Sequence, residues 1–184
     1  MILIVIGTFT VFTACNKVSS LANINVDLPY TQQATVPSVA GDTAGMILPG
    51  NGISLTFPSL PVPTYAQNFV TTYNTAIDKI LNVYLKQLNL QITAPAGQNF
   101  DYMDSVELYI SANAQSNVLV AYEYGIAKGQ TTLNLTTLTS VNLKNYFIQD
   151  TMYFSLGAHL NAIPPTGTSM SISATMHMLA NPLN

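Results

Sequence analysis

Apolar residues recur at every second position, in one segment after another, over the second half of the chain. In the segment 151–160, for example, Met152, Phe154 and Leu156 share one side of an extended backbone, because successive side chains of a strand point to opposite faces. The stretch 88–182 contains several such segments, separated by turns and without alternating helices. This pattern predicts antiparallel sheets packed through their apolar faces, a mainly β sandwich.

One region has a different period. Between Tyr65 and Gln87 the apolar residues fall three and four positions apart, as they do on one face of a helix. Thr64 follows Pro63 and is a suitable N-cap. We therefore expect one long amphipathic helix over about 65–87, packed on the sheet through Phe69, Tyr73, Ile77, Ile80 and Tyr84.

The composition limits the class of protein. Hydrophobic residues make up 48% of the chain and charged residues only 7%, so the chain can form a core and does not resemble a disordered protein. The chain has no arginine, and nucleic-acid binding needs clustered Lys and Arg. We expect one domain over 23–184 that binds no nucleic acid.

The chain starts with an apolar run and then carries its single cysteine, Cys15. The run is about a dozen residues, too short for the roughly 20 that span a bilayer as a helix and typical of a secretory signal. A polar stretch, 16–20, follows at once. One interpretation of Cys15 is a buried thiol in a hydrophobic first strand; the polar stretch favours a tether instead.

Residues Phe12-Thr13-Ala14-Cys15 resemble the lipobox of bacterial lipoproteins, although no Lys or Arg precedes the apolar run. The resemblance implies cleavage before Cys15 and acylation of its thiol and new amino group. It divides the chain into a signal peptide (1–14), a lipidated tether (15–22) and the domain 23–184. It also implies that the protein is held at the cell envelope, as an outer-membrane or cell-surface lipoprotein.

The body of the chain also resembles small bacterial surface lipoproteins. The resemblance rests on the alternating residues from Leu88 to Ile92, on Gly97-Gln98 and Phe100-Asp101, on the segment 109–112 and on the terminal Ala-Asn-Pro-Leu. It implies a compact β domain on a lipid anchor and brings no activity with it.

Three sets of residues are candidates for chemistry. His159 and His177 lie on the polar sides of their strands, and a hairpin about Pro164 would separate them by roughly 25 Å, too far to share a metal. Asp101 and Asp104 lie in one loop, which could bind calcium, but an Asx turn or a strand cap accounts for them better. Glu107 and Glu123 could pair if their strands are adjacent and in phase.

None of these sets forms a nucleophile–base pair, so we expect a protein that is not an enzyme and has no metal or cofactor. The main hypothesis is a lipid-anchored envelope module that binds a protein or glycan through its polar, uncharged surface. The alternative is a carrier of an apolar ligand or lipid, in a cavity between helix and sheet lined by methionines.

Overall fold

The computed structural model describes residues 23–36, 48, 50–113 and 115–181. Cys15, the leader 1–14 and the tether 15–22 lie outside the described residues. Within the described ranges the chain forms ten β-strands, two short α-helices and one 3-10 turn. In chain order they are β1 (Ile24–Thr35), β2 (Ile53–Thr56), β3 (Leu60–Pro63), α1 (Ala66–Thr72), the 3-10 turn Ile77–Lys79, β4 (Ile80–Ala94), β5 (Met103–Ala112), β6 (Gln115–Tyr124), β7 (Thr132–Asn134), β8 (Thr136–Thr137), α2 (Lys144–Phe147), β9 (Thr151–Leu160) and β10 (Ser169–Ala180).

The strands form two antiparallel sheets, as the alternating segments predicted. The first sheet has the strand order β1-β10-β4-β7. The second has the order β2-β9-β5-β6-β8, and β3 also pairs with β9. The predicted mainly β, sandwich-like fold is confirmed at this level.

The apolar faces of the two sheets meet in one core. In β10, the apolar residues at the five even positions from Met170 to Met178 are at most 2% exposed. Val106, Leu108 and Ile110 of β5 close the core from the second sheet. Each large apolar side chain that is fully buried contributes about 1.5–3 kcal/mol, so this layer is the main stabilising element of the fold.

The predicted long helix over 65–87 is wrong. There α1, which has seven residues, and the 3-10 turn Ile77–Lys79 are the helical parts, and the chain is extended from Ile80. The pairing of β4 with β10 skips Leu81 and Lys86, so each of these is an extra residue of the kind that makes a β-bulge. Inward side chains then fall at positions 80, 83, 85, 88 and 90, and these uneven intervals imitate a helical period.

The hairpin about Pro164, which was a condition for the distance between the two histidines, does not form. β9 belongs to the second sheet and β10 to the first, and residues 161–168 carry the chain from one sheet to the other. Hairpin loops usually have about 2–5 residues, whereas this connection is longer. β9 and β10 therefore bury their apolar sides in the same core, each from its own sheet.

The two ends of the sandwich can be identified from the pairing. β1 begins beside the end of β10, where Ile24 pairs with Ala180. It ends beside the start of β10, where the N–H of Val36 donates to the carbonyl of Thr168 at 2.8 Å. Because residues 161–168 join that end to Leu160, the last residues of β9 lie far from the start of β1.

The bulged strand can be tested with two leucines of β4. Leu85 is fully buried, whereas Leu81 is a bulge residue and 44% exposed. Leu85→Ala should lower the free energy of unfolding by about 2–5 kcal/mol because it leaves a cavity. Leu81→Ala should change it by less than about 0.5 kcal/mol. Chemical denaturation measures both, and equal losses would contradict the strand register.

Candidate functional site

A groove crosses the outer face of the second sheet, over β2, β9 and β5. Its volume is about 610 Å³, within the range of roughly 300–1,000 Å³ that is usual for small-molecule sites. Its polar groups come from outward-facing positions on neighbouring strands. They include Ser54, Thr56, Ser105, Glu107, Ser155 and His159. We call this feature the outer groove.

The centre of the outer groove is a glycine, Gly157, which pairs with Glu107 on one side and Thr56 on the other. A Cβ added to Gly157 would meet only the Cε2 atom of Tyr109, at 3.9 Å, and its backbone φ is outside the left-handed region. Neither crowding nor backbone conformation therefore requires glycine here. The residue keeps the centre of the groove free of a side chain, as strand glycines do where something approaches the backbone.

Two tyrosines hold the carboxylate of Glu107 at the groove wall. The hydroxyl of Tyr124 donates to Oε1 at 2.5 Å, and that of Tyr109 donates to Oε2 at 2.7 Å. These hydrogen bonds favour the charged form, first from Tyr124 and then from Tyr109, and they lower the pKa of Glu107 below its usual range. The same contact raises the pKa of Tyr124 to about 12. Glu107 is thus a fixed negative charge at neutral pH.

Glu107 and Glu123 do not form a carboxylate pair. Their strands, β5 and β6, are neighbours, but Glu107 is opposite Tyr122, and Glu123 is opposite Val106. Partners in a register share a face of the sheet, and adjacent residues of a strand point to opposite faces. The two glutamates therefore lie out of phase.

His159 lies at the rim of the outer groove and contacts Asp104. The imidazole Nδ1 is 3.3 Å from Oδ2 of Asp104, whose Oδ1 accepts a hydrogen bond from Asn161 at 2.6 Å. Gly52 makes room for this ring: a Cβ there would meet the ring at 2.7 Å and the Leu160 carbonyl oxygen at 2.3 Å. Gly52 also has φ +74, which favours glycine.

His177 lies on the outer face of the other sheet. Its Nδ1 is 2.7 Å from Asp27, and the same carboxylate binds Lys86 at 2.5 Å. Lys86 first and His177 second lower the pKa of Asp27 below its usual range. The expectation that the two histidines share no site is consistent with this placement, since they lie in different sheets.

Asp101 lies in a turn and Asp104 in the first residues of β5, so the two do not share a loop as predicted, and their carboxylates are not brought together. Asp101 accepts a hydrogen bond from the N–H of Gly129 at 2.6 Å, whereas Asp104 contacts His159 and Asn161. The side chain of Asn99 accepts from the N–H of Asp101 at 3.1 Å, which is an Asx turn. Among the described residues no cluster of three or more His, Cys, Asp or Glu could hold a metal ion.

The space beside the observed helix is a smaller pocket of about 210 Å³ between α1 and β1. Tyr30, Tyr65 and Phe69 are among the residues that line it. This volume is below the roughly 300 Å³ that a site for a drug-sized ligand needs. Met170, Met176 and Met178, which the carrier hypothesis placed around a cavity, are fully buried in the core.

Sequence reasoning missed the outer groove, although two signals point to it. Gly157 is an isolated glycine inside a strand pattern, which indicates a close approach to the backbone. Glu107 and Tyr109 are two residues apart on the polar side of β5, so their side chains share a face. What the sequence could not provide is the order of strands that places β2 and β9 beside them.

Comparisons with known proteins assign no family. No family model and no curated protein matches the chain. Among solved structures, a chain from Desmodium yellow mottle tymovirus aligns with 16% identity over 88% of this chain and 90% of that chain, with a TM-score of 0.29. A similarity at that score carries no argument about fold or function. Across the described part of the chain, helices suited by length and hydropathy to span a bilayer are absent.

The hydrogen bond between Tyr124 and Glu107 gives a test by titration. Tyr124→Phe should raise the pKa of Glu107 towards its ordinary value, because the larger of its two stabilising hydrogen bonds is lost. The chain has two glutamates, so carbon NMR of a glutamate-labelled sample shows two carboxyl signals, with Glu123 as the internal reference. Tyr122→Phe is the matched control, since Tyr122 stacks on Tyr124 at 4.9 Å.

The lowered pKa of Glu107 also determines how the stability of the fold changes with pH. The lowered pKa of Glu107 stabilises the folded state at pH values above the unfolded pKa, and this contribution is lost as the pH falls through the folded pKa. The stability difference between the wild type and Tyr124→Phe should therefore be present at pH 7 and shrink in acid. An unchanged Glu107 titration in Tyr124→Phe would contradict the assigned contact.

Proposed function

We propose that this protein is a lipid-anchored, non-catalytic binding module of the cell envelope that holds its ligand in the outer groove. The observation that carries the proposal is the strand glycine, Gly157. It lies under an open groove of about 610 Å³, where the fold itself has room for a side chain. Around it, Glu107 and Tyr109 are already fixed in position by hydrogen bonding. A pre-formed concave site of this kind is the usual form of a ligand site.

The direction of the chain is consistent with an anchor at Cys15. In the sequence the proposed tether 15–22 comes just before β1, which has 12 residues, about 40 Å at the rise of a strand. His159 and Ser105 of the outer groove pair near the opposite end of the sandwich. An anchor at Cys15 would therefore present the groove on the side away from the membrane.

The absence of a nucleophile–base contact at the groove supports a non-catalytic role. Ser54 and Ser105 flank His159 on the two neighbouring strands. Among the hydrogen bonds between described residues, none joins either serine hydroxyl to the imidazole, whose Nδ1 contacts Asp104. A serine nucleophile needs a base within hydrogen-bond reach, so the arrangement favours binding.

The carrier of an apolar ligand is the weaker candidate. It depended on a long helix over the sheet, and that helix is replaced by the strand β4. The pocket between α1 and β1 is about 210 Å³. The test uses the soluble domain without its acyl anchor. Non-covalently bound lipid that co-purifies with this domain, identified by mass spectrometry, would favour the carrier over the binding module.

The anchor itself is tested at Cys15. The Cys15→Ser variant should accumulate as an unprocessed precursor and take up no labelled fatty acid, because the acylated thiol is missing. Two or three acyl chains give stable membrane attachment, since each buried CH₂ contributes about 0.8 kcal/mol. Unchanged acyl labelling in Cys15→Ser would rule out the lipoprotein assignment.

The outer groove is tested by filling it. Gly157→Val should leave the melting temperature unchanged or raise it, because a β-branched residue suits a strand interior better than glycine. The same variant should lose the partners that cross-linking in the native envelope captures with the wild type. Ser173→Val is the matched control, because it adds the same side chain to an outward position of β10. Equal capture by Gly157→Val and the wild type would show that the groove is not the site.

A further inference from the structure

We infer that the outer groove binds a neutral saccharide, with a sugar ring against Tyr109 and ring hydroxyls on Glu107. This inference rests on the proposed binding role of the groove and names the chemical class of its ligand. It follows from the charge of the lining, from the balance of donors and acceptors and from the aromatic wall.

The charge of the lining excludes acidic ligands. Glu107 is ionised at the wall, and Asp104 is close by at the rim through its contact with His159. The described residues that line the groove include no lysine, and the chain has no arginine. The imidazole of the lining, His159, already contacts Asp104, so a phosphate or carboxylate would meet the like charge of Glu107 without a lysine or arginine to pair with, which disfavours its binding.

The donors and acceptors of the lining match a ligand that has many hydroxyls. Ser54, Thr56 and Ser105 present hydroxyls, each of which can both donate and accept, whereas the buried hydroxyl of Ser155 is already bonded to that of Ser59 at 2.8 Å. Each oxygen of Glu107 accepts one tyrosine hydroxyl and keeps further lone pairs for hydroxyl donors. An ammonium ligand only donates, so it could use the acceptors of the lining but could accept no hydrogen bond from its hydroxyls. A sugar hydroxyl does both.

The aromatic wall supplies the apolar half of the contact. The Tyr109 ring leans towards Gly157, with its Cε2 atom 3.9 Å from the place of a Cβ on that glycine. Its hydroxyl is held by Glu107 at 2.7 Å, so the ring is fixed in orientation. A rigid aromatic with an anchored polar end gives contact area at little loss of conformational entropy. The C–H face of a pyranose ring suits that surface.

The test uses the full chain in detergent and four defined ligands. They are maltotetraose, cellotetraose, a galacturonic acid trimer as the acidic control and hexylamine as the cationic control. Titration calorimetry should show binding of at least one neutral tetrasaccharide and of neither control. Tyr109→Ala should weaken that binding about tenfold or more, as the loss of one aromatic contact implies. Gly157→Val should abolish it, and Ser173→Val should leave it unchanged.

The outcomes separate the ligand class from the site. Binding of the acid or the amine alone, or of no saccharide in a wider panel of neutral glycans, overturns the saccharide inference and leaves the groove to be judged by the cross-linking experiment. Saccharide binding that survives Gly157→Val overturns the placement of the ligand in the groove. Binding lost in Gly157→Val and kept in Ser173→Val supports both.

Discussion

Contact between the apolar faces of the two sheets is the interaction on which the rest of the molecule depends. The single cysteine allows no internal disulfide, so the fold relies on burial in this layer. Both faces must therefore remain apolar and well packed, from Leu88 and Leu90 of β4 to Leu108 and Ile110 of β5. Selection for function can act on the outer faces, where polar side chains change with little effect on stability. The outer groove lies on such a face, and Gly157 and Glu107 are not needed for the core.

The polar side chains of the outer faces also explain how the surface stays hydrated with so few charged residues. Asp27, Lys86 and His177 form one cluster on the first sheet, and Glu107 is satisfied by tyrosine hydroxyls on the second. Elsewhere the outward positions of β10 carry hydroxyls, from Ser169 to Thr175. Such a surface stays hydrated without a strong long-range electrostatic field, so the proposed recognition of a ligand would depend on short-range geometry.

The sequence predicted the β class because strand periodicity is local: Met152 and Phe154 of β9, or Ile172 and Ala174 of β10, alternate whatever their partners are. The error over 65–87 has a physical cause. Leu81 and Lys86 are extra residues in β4, and a bulge depends on the partner strand, which one segment cannot reveal. The outer groove was missed for the same reason, because Glu107 and Gly157 are 50 residues apart and meet only through the pairing of β5 with β9.

If the proposed anchor at Cys15 is present, the pairing of β1 with β10 has a mechanical consequence. All 12 residues of β1 pair with β10, and the tether would pull on β1 along its own axis. A ligand held near the far end of the sandwich would then load the β1–β10 pair in shear. The backbone hydrogen bonds between the two strands would resist this force together and would not open one after another. Antiparallel bonds run across the strands, which is the orientation that opposes sliding. The same strand that begins the domain would thus act as the element that bears force between the ligand and the membrane.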